Sequence, residues 1–222
     1  MLSLIIAEAS LELVPKELTR HPAVTSSAKK SEKNPSEMLL DNSWHFAAMK
    51  GLKNEIKRGR PDLVHFSLLE ATSIPLYFEN EIMIYVHTID DKVILLGNDV
   101  RLPKSFHRFV GLIEKLFREK IIKADDNKLL ELKDMDFNSL IEKINPSKVI
   151  GLSSDGKSST YADVVSHLDD DVCLVVGGFQ KGDFSDSIQN KLDESFSVED
   201  RSLESHIILS RVLYEYEKTI FM

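Results

Sequence analysis

The chain has 222 residues, of which 42% are hydrophobic and 29% charged, and its formal net charge is −8. This length and composition can bury a substantial core, which excludes general disorder and favours one large α/β domain over 1–222. The single cysteine, Cys173, excludes an internal disulfide framework and a clustered-thiolate zinc site. No apolar stretch approaches the ~20 residues that cross a bilayer, and the start lacks the basic region of a signal peptide, so we expect a soluble cytoplasmic protein without a membrane partner.

The first part of the chain predicts ordered stretches on either side of an irregular one. LSLIIAEA at 2–9 is apolar, which is typical of a buried strand, and we expect a helix over 11–18. Residues 21–37 contain two prolines and several serines, which indicates a flexible connection. An Asp-Asn-Ser cap then predicts a short helix within 41–52. From residue 60 the chain predicts an extended start and an apolar run that fits a strand and then a helix.

The middle of the chain predicts a β-hairpin and an amphipathic helix. Two apolar stretches, 81–89 and 92–97, are separated by a pair of aspartates, which indicates a hairpin inside an insertion over about 70–100. Residues 104–122 predict a helix because their apolar side chains recur at helical spacing. These side chains are Phe106, Phe109, Val110, Ile113, Leu116 and Phe117.

The second half of the chain alternates helices and strands. Helix 136–144 precedes strand 148–153, and helix 160–168 precedes strand 172–179. Strands separated by helices of this length predict a largely parallel sheet. The last helix, 202–221, has an apolar surface too wide for one stripe, so it is either buried centrally or packed against a second subunit.

Two loops are expected at the carboxyl ends of strands, where open α/β sheets bind ligands. VVGGFQKG at 175–182 has glycines directly after a buried strand, where the backbone can approach a ligand closely. GLSSDGKSS at 151–159 is rich in small hydroxyl residues. Each is also compatible with an ordinary turn or a solvated loop, but their coincidence at one sheet edge favours a ligand site. Neither has a GxGxxG or Walker pattern, so a dinucleotide or P-loop cradle is not predicted.

Basic residues are concentrated in the first half of the chain. Residues 1–120 carry 17 Lys and Arg against 16 Asp and Glu, whereas residues 121–222 carry 11 against 20. Five cations fall within 49–60 and three within 101–109. Because phosphate binding depends on the local potential, these two patches are compatible with a specific RNA or DNA site.

Arg60 and Asp62 flank a proline that restricts the backbone. Pro61 favours an extended conformation at residue 60, and in an extended segment residues 60 and 62 project to the same side. The carboxylate of Asp62 can therefore hold the guanidinium of Arg60 and direct it outward. A solvated ion pair of little energetic weight is the alternative.

A second set of cations lies within 101–108. If this segment is helical, Arg101, Lys104 and Arg108 share one face and suit phosphate groups, although a solvated helix face is the ordinary alternative. No serine or cysteine nucleophile set is recognisable, and the seven histidines lack the spacing of metal ligands, so no metal is expected.

Five segments together resemble one family of RNA-modifying enzymes. They are RPDLVHFSLL, IYVHT, RLPKSFHRFVGLIEKL, VVGGFQKG and SLESHII, which cover most of residues 60–208. In this order they resemble the archaeal and eukaryotic small-subunit ribosome biogenesis methyltransferases of the SPOUT superfamily, which methylate N1 of a pseudouridine in ribosomal RNA. The resemblance implies a C-terminal trefoil knot, S-adenosylmethionine as cofactor with S-adenosylhomocysteine as product, a small-subunit ribosomal RNA substrate and a homodimer.

The resemblance also assigns residues by position. Four cations look like RNA contacts: Arg60, Arg101, Lys104 and Arg108. Arg60 and Asp62 look like the catalytic pair, with Asp62 steadying Arg60. The residues that look like the cofactor pocket are Leu152, Ser153, Gly177, Gly178, Gly182, Leu203, Glu204, Ser205, His206, Ile207 and Ile208. The family often has arginine in place of Lys104 and small residues in place of Glu204 and His206.

We therefore expect direct methyl transfer to N1 of a pseudouridine that has left the base stack. Arg60 would favour the deprotonated base, because an ordinary aspartate with a pKa of ~3.9 is a poor base for so weak an acid. Two other classes stay open from the sequence. One is an RNA-binding ribosome assembly factor with dispensable catalysis, and the other is a nucleotide-dependent metabolic enzyme that uses the glycine loop.

Overall fold

The computed structural model describes residues 1–169, 171–199, 201 and 203–222. Its strands are β1 (Leu2–Ala9), β2 (Ile82–Thr88), β3 (Lys92–Leu96), β4 (Ile121–Ala124), β5 (Asn127–Asp134), β6 (Lys148–Ser158), β7 (Val172–Gly177) and β8 (Glu194–Ser197). Its helices are α1 (Pro22–Ser31), α2 (Asn42–Met49), α3 (Pro61–Ala71), α4 (Pro75–Phe78), α5 (Phe106–Glu119), α6 (Phe137–Ile144), α7 (Tyr161–Val165), α8 (Asp186–Gln189) and α9 (Ser205–Phe221).

The strands form one sheet in the order β4-β5-β3-β2-β1-β7-β6-β8. β1 is parallel to both β2 and β7, and β6 is parallel to both β7 and β8. The predicted α/β class with a largely parallel sheet is confirmed. The predicted hairpin is β2–β3, which is antiparallel as expected. It belongs to the sheet, because β2 pairs with β1 and β3 pairs with β5, and its place in an insertion over about 70–100 stays a prediction.

Both faces of the central strands are covered by helices. Along β1, Leu4 and Ile6 join the larger core with α3, α5, α7 and α9, whereas Ile5 and Ala7 join a second core with α6 and α8. Alternation of this kind follows from the two-residue period of a strand. Cys173 belongs to the second core, where burial raises the pKa of its thiol to about 12, so it is a small apolar side chain rather than a nucleophile.

Two predictions for the first forty residues are wrong. The helix expected over 11–18 is reduced to a 3₁₀ turn at Lys16–Leu18, because Leu13 forms a β-bridge with Leu39 and Pro15 precedes the turn. The segment 21–37, expected as a flexible connection, contains α1 and a 3₁₀ turn at Pro35–Glu37. The side chain of His21 caps α1, and a proline occupies its first position, which is a helix-start signal that the serine content obscured.

Three further boundaries differ from the predictions. Residue 60 is followed directly by α3, because Pro61 at the first helical position starts a helix rather than extending a strand. The helix expected over 104–122 is shorter, and the chain turns at Lys120 into the unpredicted hairpin β4–β5. The last helix begins at Ser205, whereas its predicted start, Ser202, lies outside the described residues.

The C-terminal helix α9 is buried along one side. Leu209, Val212 and Leu213 lie in the larger core, and α9 packs against α3 and α7. Tyr214 and Phe221 are exposed on its other side. No helix in the part of the chain that the structure describes has the length and hydropathy needed to span a membrane.

Candidate functional site

A cavity of about 780 Å³ lies where β6, β7 and β8 end and α9 begins. Volumes of this order are typical of pockets for cofactors and small ligands. Its position follows from the topology, because the carboxyl ends of parallel strands meet at one edge of the sheet and leave a crevice there.

Most of the predicted cofactor residues surround this cavity. Those in its lining are Leu152, Ser153, Gly177, Gly182, Leu203, Ser205 and Ile208. Four others do not line it, namely Gly178, Glu204, His206 and Ile207. Of the two loops predicted from the sequence, 151–159 lies almost wholly within β6, so its prediction as a loop is wrong, whereas the loop predicted within 175–182 follows β7. Both segments contribute residues to the lining of this cavity.

Gly178 is a packing residue rather than a ligand contact. A Cβ atom at this position would lie 2.7 Å from Cα of Ala9, which no side chain could accommodate without a backbone shift. The backbone of Gly178 is bonded on both sides, since its N–H donates to the carbonyl of Ala7 at 2.7 Å and its carbonyl accepts from Ser10 at 2.9 Å. The assignment of Gly178 to the cofactor pocket is therefore not supported by the geometry.

The start of α9 contains residues that line the cavity and residues that do not line it. The hydroxyl of Ser205 donates to the carbonyl of Gly177, which holds the start of α9 against the end of β7. Glu204 is the N-cap residue, and its carboxylate is turned toward Arg60 and His206. This turn explains why Ser205 lines the cavity while its two neighbours do not.

Aromatic residues form a wall of the cavity that the sequence did not reveal. Phe179 and Phe184 pack edge to face with ring centroids 5.9 Å apart, and both line the cavity. Phe196 on β8 adds a third ring. Phe179 directly follows the glycine pair, so the VVGGF motif could have indicated it. Strand β8 has only four residues, which is too short to predict which side of the sheet Phe196 faces.

Arg60 and Asp62 form a two-pronged ion pair. The Nε and Nη2 atoms of Arg60 donate to the two carboxylate oxygens of Asp62, each at 2.8 Å. Pairing with Asp62 raises the pKa of Arg60, so the guanidinium stays charged. The predicted contact is present, but its local geometry differs from the expectation, because Asp62 stands in the first turn of α3 and not on an extended strand.

Arg60 also lies beside the cavity. Its Nη2 atom is 4.0 Å from Oε1 of Glu204, and the residues on either side of Glu204 both line the cavity. The chain thus brings the start of α3 and the start of α9 together, although 144 positions separate these two residues in sequence. A guanidinium held by one carboxylate therefore borders the cavity.

The remaining predicted cations lie mainly on the segment before α5. Arg101 and Lys104 precede the helix, whose N-cap is Ser105, so the predicted helical row of three cations is wrong. All three side chains are nevertheless exposed, including Arg108 in the first turn. His65 of α3 contacts the carbonyl of Pro103 through Nε2 at 2.7 Å, which attaches this segment to the helix that starts beside Arg60.

The basic stretch 49–60 is only partly available to a ligand. Lys57 is bonded to Glu8 at 2.7 Å, and Arg58 is bonded to Glu12 through Nε at 2.7 Å. Both carboxylates are buried at or after the end of β1. These cations attach the stretch to the sheet edge, so they serve the fold and not a phosphate.

The described residues contain no group of three or more His, Cys, Asp or Glu that could hold a metal ion. The buried histidines are instead structural. Burial lowers the pKa of His65 and of His87, which keeps both rings neutral.

Comparison with known proteins agrees with this arrangement. The sequence profile described as EMG1/NEP1 methyltransferase matches residues 4–217. The chain belongs to the EMG1/NEP1 methyltransferase family.

Individual EMG1/NEP1 relatives match the chain over nearly its whole length. The ribosomal RNA small subunit methyltransferase Nep1 of Staphylothermus marinus is 41% identical over 214 residues, covering 96% of this chain and 93% of that protein. The Nep1 protein of Thermococcus sibiricus is 37% identical and covers 99% of both chains. The crystal structure of Archaeoglobus fulgidus Nep1 bound to S-adenosylhomocysteine superposes with a TM-score of 0.89, at 37% identity and 99% coverage of both chains.

Proposed function

We propose that this chain transfers a methyl group from S-adenosylmethionine to N1 of a pseudouridine in small-subunit ribosomal RNA. The observation that carries the proposal is the 4.0 Å contact between Arg60 and Glu204, because it sets a fixed guanidinium at the border of the cavity. The names of the EMG1/NEP1 relatives support the RNA substrate, and the ligand of the Archaeoglobus fulgidus protein supports the cofactor.

The lining of the cavity fits such a cofactor. Apolar side chains at Leu152, Phe196 and Ile208 offer a surface for a flat base, while hydroxyl groups of Ser153 and Ser205 and the backbone of 177–182 offer polar contacts. Gly182 has a φ of +101°, a conformation that favours glycine, and a side chain there would approach Ile56 at 3.3 Å. These residues would hold the adenosine and its polar substituents.

When bound, S-adenosylmethionine supplies an electrophilic methyl group on a positively charged sulfur. N1 of pseudouridine carries a proton, which would pass to solvent water as the N–C bond forms and the bond between sulfur and the methyl group breaks. The permanent positive charge of Arg60 stabilises the deprotonated base, and this is its catalytic role. Asp62 is a positioning residue, since its two oxygens are already engaged by the guanidinium. Holding the base against the methyl donor supplies much of the remaining acceleration.

The exposed cations support a path for the RNA backbone beside the cavity. Arg101, Lys104 and Arg108 are attached to α3 through His65, so we assign them to phosphates that flank the target. A base can reach the cavity only after leaving its stack, which favours a loop or hairpin as substrate. Lysine at position 104 keeps the charge but lacks the planar fork of arginine.

The same proposal includes a trefoil knot, a homodimer and a cytoplasmic location. The return of the chain from β8 to α9, whose Ser205 is tied to Gly177, is compatible with a knotted C-terminal region. Exposed apolar side chains on the packed pair α3 and α9 support a second subunit there. They are Phe66, Tyr214, Ile220 and Phe221.

Calorimetry and methyl mapping test the proposed function. We expect S-adenosylhomocysteine to bind and NAD and ATP not to bind, and we expect mass spectrometry to detect one N1-methylated pseudouridine in small-subunit ribosomal RNA. Binding of NAD or ATP alone would instead favour a nucleotide-dependent metabolic enzyme.

Variants of the ion pair separate catalysis from assembly. Asp62→Asn and Arg60→Ala should each lower methyl transfer by about 10²-fold, because the guanidinium is misplaced or absent, while S-adenosylhomocysteine still binds. Arg118→Ala removes an exposed cation at the far end of α5 and serves as the matched control. Full activity and RNA affinity in both variants would refute the proposal. Rescue of ribosome assembly by a variant without methyl transfer would favour an assembly factor.

A further inference from the structure

A second cavity, of about 450 Å³, lies between α1, α2 and the start of α5. It shares no lining residue with the first cavity. Pro61, the residue after Arg60, is part of its wall, and so is His107, the residue before Arg108. The lining thus includes direct sequence neighbours of two of the cations that we assign to RNA.

His45 lines this cavity and has an unused hydrogen-bond donor. The side chain is only 1% exposed, and its Nδ1 atom accepts from the backbone N–H of Asp41 at 3.1 Å, so the proton of the neutral ring is on Nε2. Burial lowers the pKa of His45, which keeps this tautomer neutral. Nε2 has no hydrogen-bond partner among the described residues. A buried donor without an acceptor is costly, so a ligand acceptor would stabilise it.

Trp44 supplies a flat surface in the same cavity. Its side chain is 56% exposed although one face of the ring lies under the ammonium group of Lys30, at 4.7 Å from the ring centroid. An exposed indole beside a cation is the combination that single-stranded nucleic-acid sites use, because every base can stack on an aromatic face.

Charge around the cavity selects among possible occupants. Lys33 is paired with Glu114 inside the wall, whereas Lys30 stands over the indole at the rim, where it can reach a phosphate. Exposed Arg108 follows His107 of the lining along α5, whereas the carboxylate of Asp41, also in the lining, accepts from the backbone N–H of Ser43 at 2.8 Å. A cation next to a stacking surface and a neutral donor matches a nucleotide better than an apolar peptide.

We propose that this cavity binds one unpaired base of the RNA substrate, a different base from the one that is methylated. Trp44 stacks on it, Nε2–H of His45 donates to a carbonyl oxygen or ring nitrogen of the base, and Lys30 contacts the adjoining phosphate. The inference rests on the proposed function, because it takes RNA as the substrate. It adds a second point of sequence reading outside the methylation site.

The experiment uses the fact that Trp44 is the only tryptophan of the chain. Full-length protein is titrated with stem-loop RNAs transcribed from small-subunit ribosomal RNA, and with synthetic copies in which one loop nucleotide at a time is abasic. We expect RNA to quench the tryptophan emission. We also expect one abasic position, distinct from the methylated nucleotide, to abolish the quenching.

Variants give an independent measurement. Trp44→Ala should weaken RNA affinity about tenfold, the usual size of one stacking contact. His45→Asn keeps an acceptor near Nδ1 but removes the Nε2 donor, and should weaken affinity less. Phe46→Ala is the matched control, since Phe46 is 73% exposed on the same helix and does not line the cavity.

Three outcomes would overturn the inference. The first is RNA binding that leaves the tryptophan emission unquenched, and the second is an RNA affinity of Trp44→Ala equal to that of the wild type. The third is a change in the sedimentation coefficient of Trp44→Ala, which would show that the cavity is a contact between subunits. Calorimetry with S-adenosylhomocysteine separates this inference from the proposed function. Failure of the wild-type protein to bind S-adenosylhomocysteine defeats the methyltransferase proposal, whereas cofactor binding without quenching defeats only the second base site.

Discussion

Lys57 and Glu8 form a buried ion pair behind the cofactor cavity, with Nζ and Oε2 2.7 Å apart and side chains from distant parts of the chain. The two residues are only 8% and 6% exposed. Glu8 also accepts from the backbone N–H of Ser185, and the ammonium group of Lys57 lies 4.6 Å from the ring centroid of Phe179. The pair therefore supports two parts of the loop that lines the cavity.

Removing one member of this pair should be strongly destabilising. Lys57→Met leaves the carboxylate of Glu8 buried without its counter-ion, and we expect the free energy of unfolding to fall by about 3–5 kcal/mol. The double variant Glu8→Gln/Lys57→Met should recover much of that loss. Urea denaturation of the wild type, Lys57→Met and the double variant measures these free energies of unfolding. Lys115→Ala, which breaks an exposed pair with Glu119, is the control and should change the free energy by less than about 1 kcal/mol. A single variant as stable as the wild type would contradict this account.

Two glycines should respond in opposite directions to the same substitution. Gly178→Ala places a Cβ atom 2.7 Å from Cα of Ala9 and should lower the free energy of unfolding by about 1–3 kcal/mol. Gly111→Ala meets no atom within 4 Å in α5, so it should raise the free energy of unfolding by about 0.5–1 kcal/mol. Thermal melting of both variants checks the prediction, and equal shifts would show that the close approach at Gly178 is unimportant.

Stability should decline as the pH falls below about 6.5, the ordinary pKa of histidine. Burial lowers the pKa values of His45, His65 and His87 in the folded protein. In the window between the lowered pKa and about 6.5 the unfolded chain binds more protons, so the free energy of unfolding decreases by about 1.4 kcal/mol per pH unit for each histidine. Above this window the three histidines are neutral in both the folded and the unfolded chain, so they no longer reduce the free energy of unfolding.

Urea denaturation at pH 7.5, 6.5 and 5.5 measures this dependence. His87→Gln should make the slope of the free energy of unfolding against pH shallower, by up to the contribution of one proton bound on unfolding. His87 makes this contribution because its ring is buried, with Nε2 in contact with Asp91. Phe46→Ala changes an exposed side chain that does not titrate and should leave the slope unchanged. A slope that is the same in all three proteins would mean that the acid sensitivity arises elsewhere.

The exposed cations should determine the salt dependence of RNA binding. Arg101→Ala, Lys104→Ala and Arg108→Ala should each weaken binding across sequences and reduce the slope of log K against log salt by about 1. Lys104→Arg should strengthen binding without changing the slope, since it adds a bidentate fork at constant charge. Filter binding at several salt concentrations tests this, with Arg118→Ala expected to behave as wild type. An unchanged slope in the three alanine variants would place the RNA on another face.

Strands and helices with strong local patterns were predictable. The apolar run of β1, the hairpin β2–β3 and the stripe of α5 follow directly from residue periodicity. The hairpin β4–β5 lies at the edge of the sheet and mixes polar and apolar residues, so its sequence pattern was too weak to predict two strands. The helix predicted over 11–18 is wrong for another reason. The long-range β-bridge between Leu13 and Leu39 overrides the local helix preference of this segment.

The site shows where residue patterns are sufficient and where they are not. Arg60 and Asp62 were paired correctly from a wrong backbone geometry, since a proline at the first helical position brings the two side chains together as an extended segment would. The contact of Arg60 with Glu204 depends on tertiary packing and had no local signal. The same holds for the unused donor of His45, which depends on burial.

The position of β1 in the middle of the sheet affects how the protein is made. Ser3 pairs with Met83 on one side and with Cys173 on the other, so β1 needs partners from two segments that are synthesised much later. At translation rates of about 5–20 residues per second, the wait for β7 is on the order of ten seconds. During that time β1 lacks its β7 partner, and we expect its apolar side chains to engage chaperones while the rest of the chain emerges.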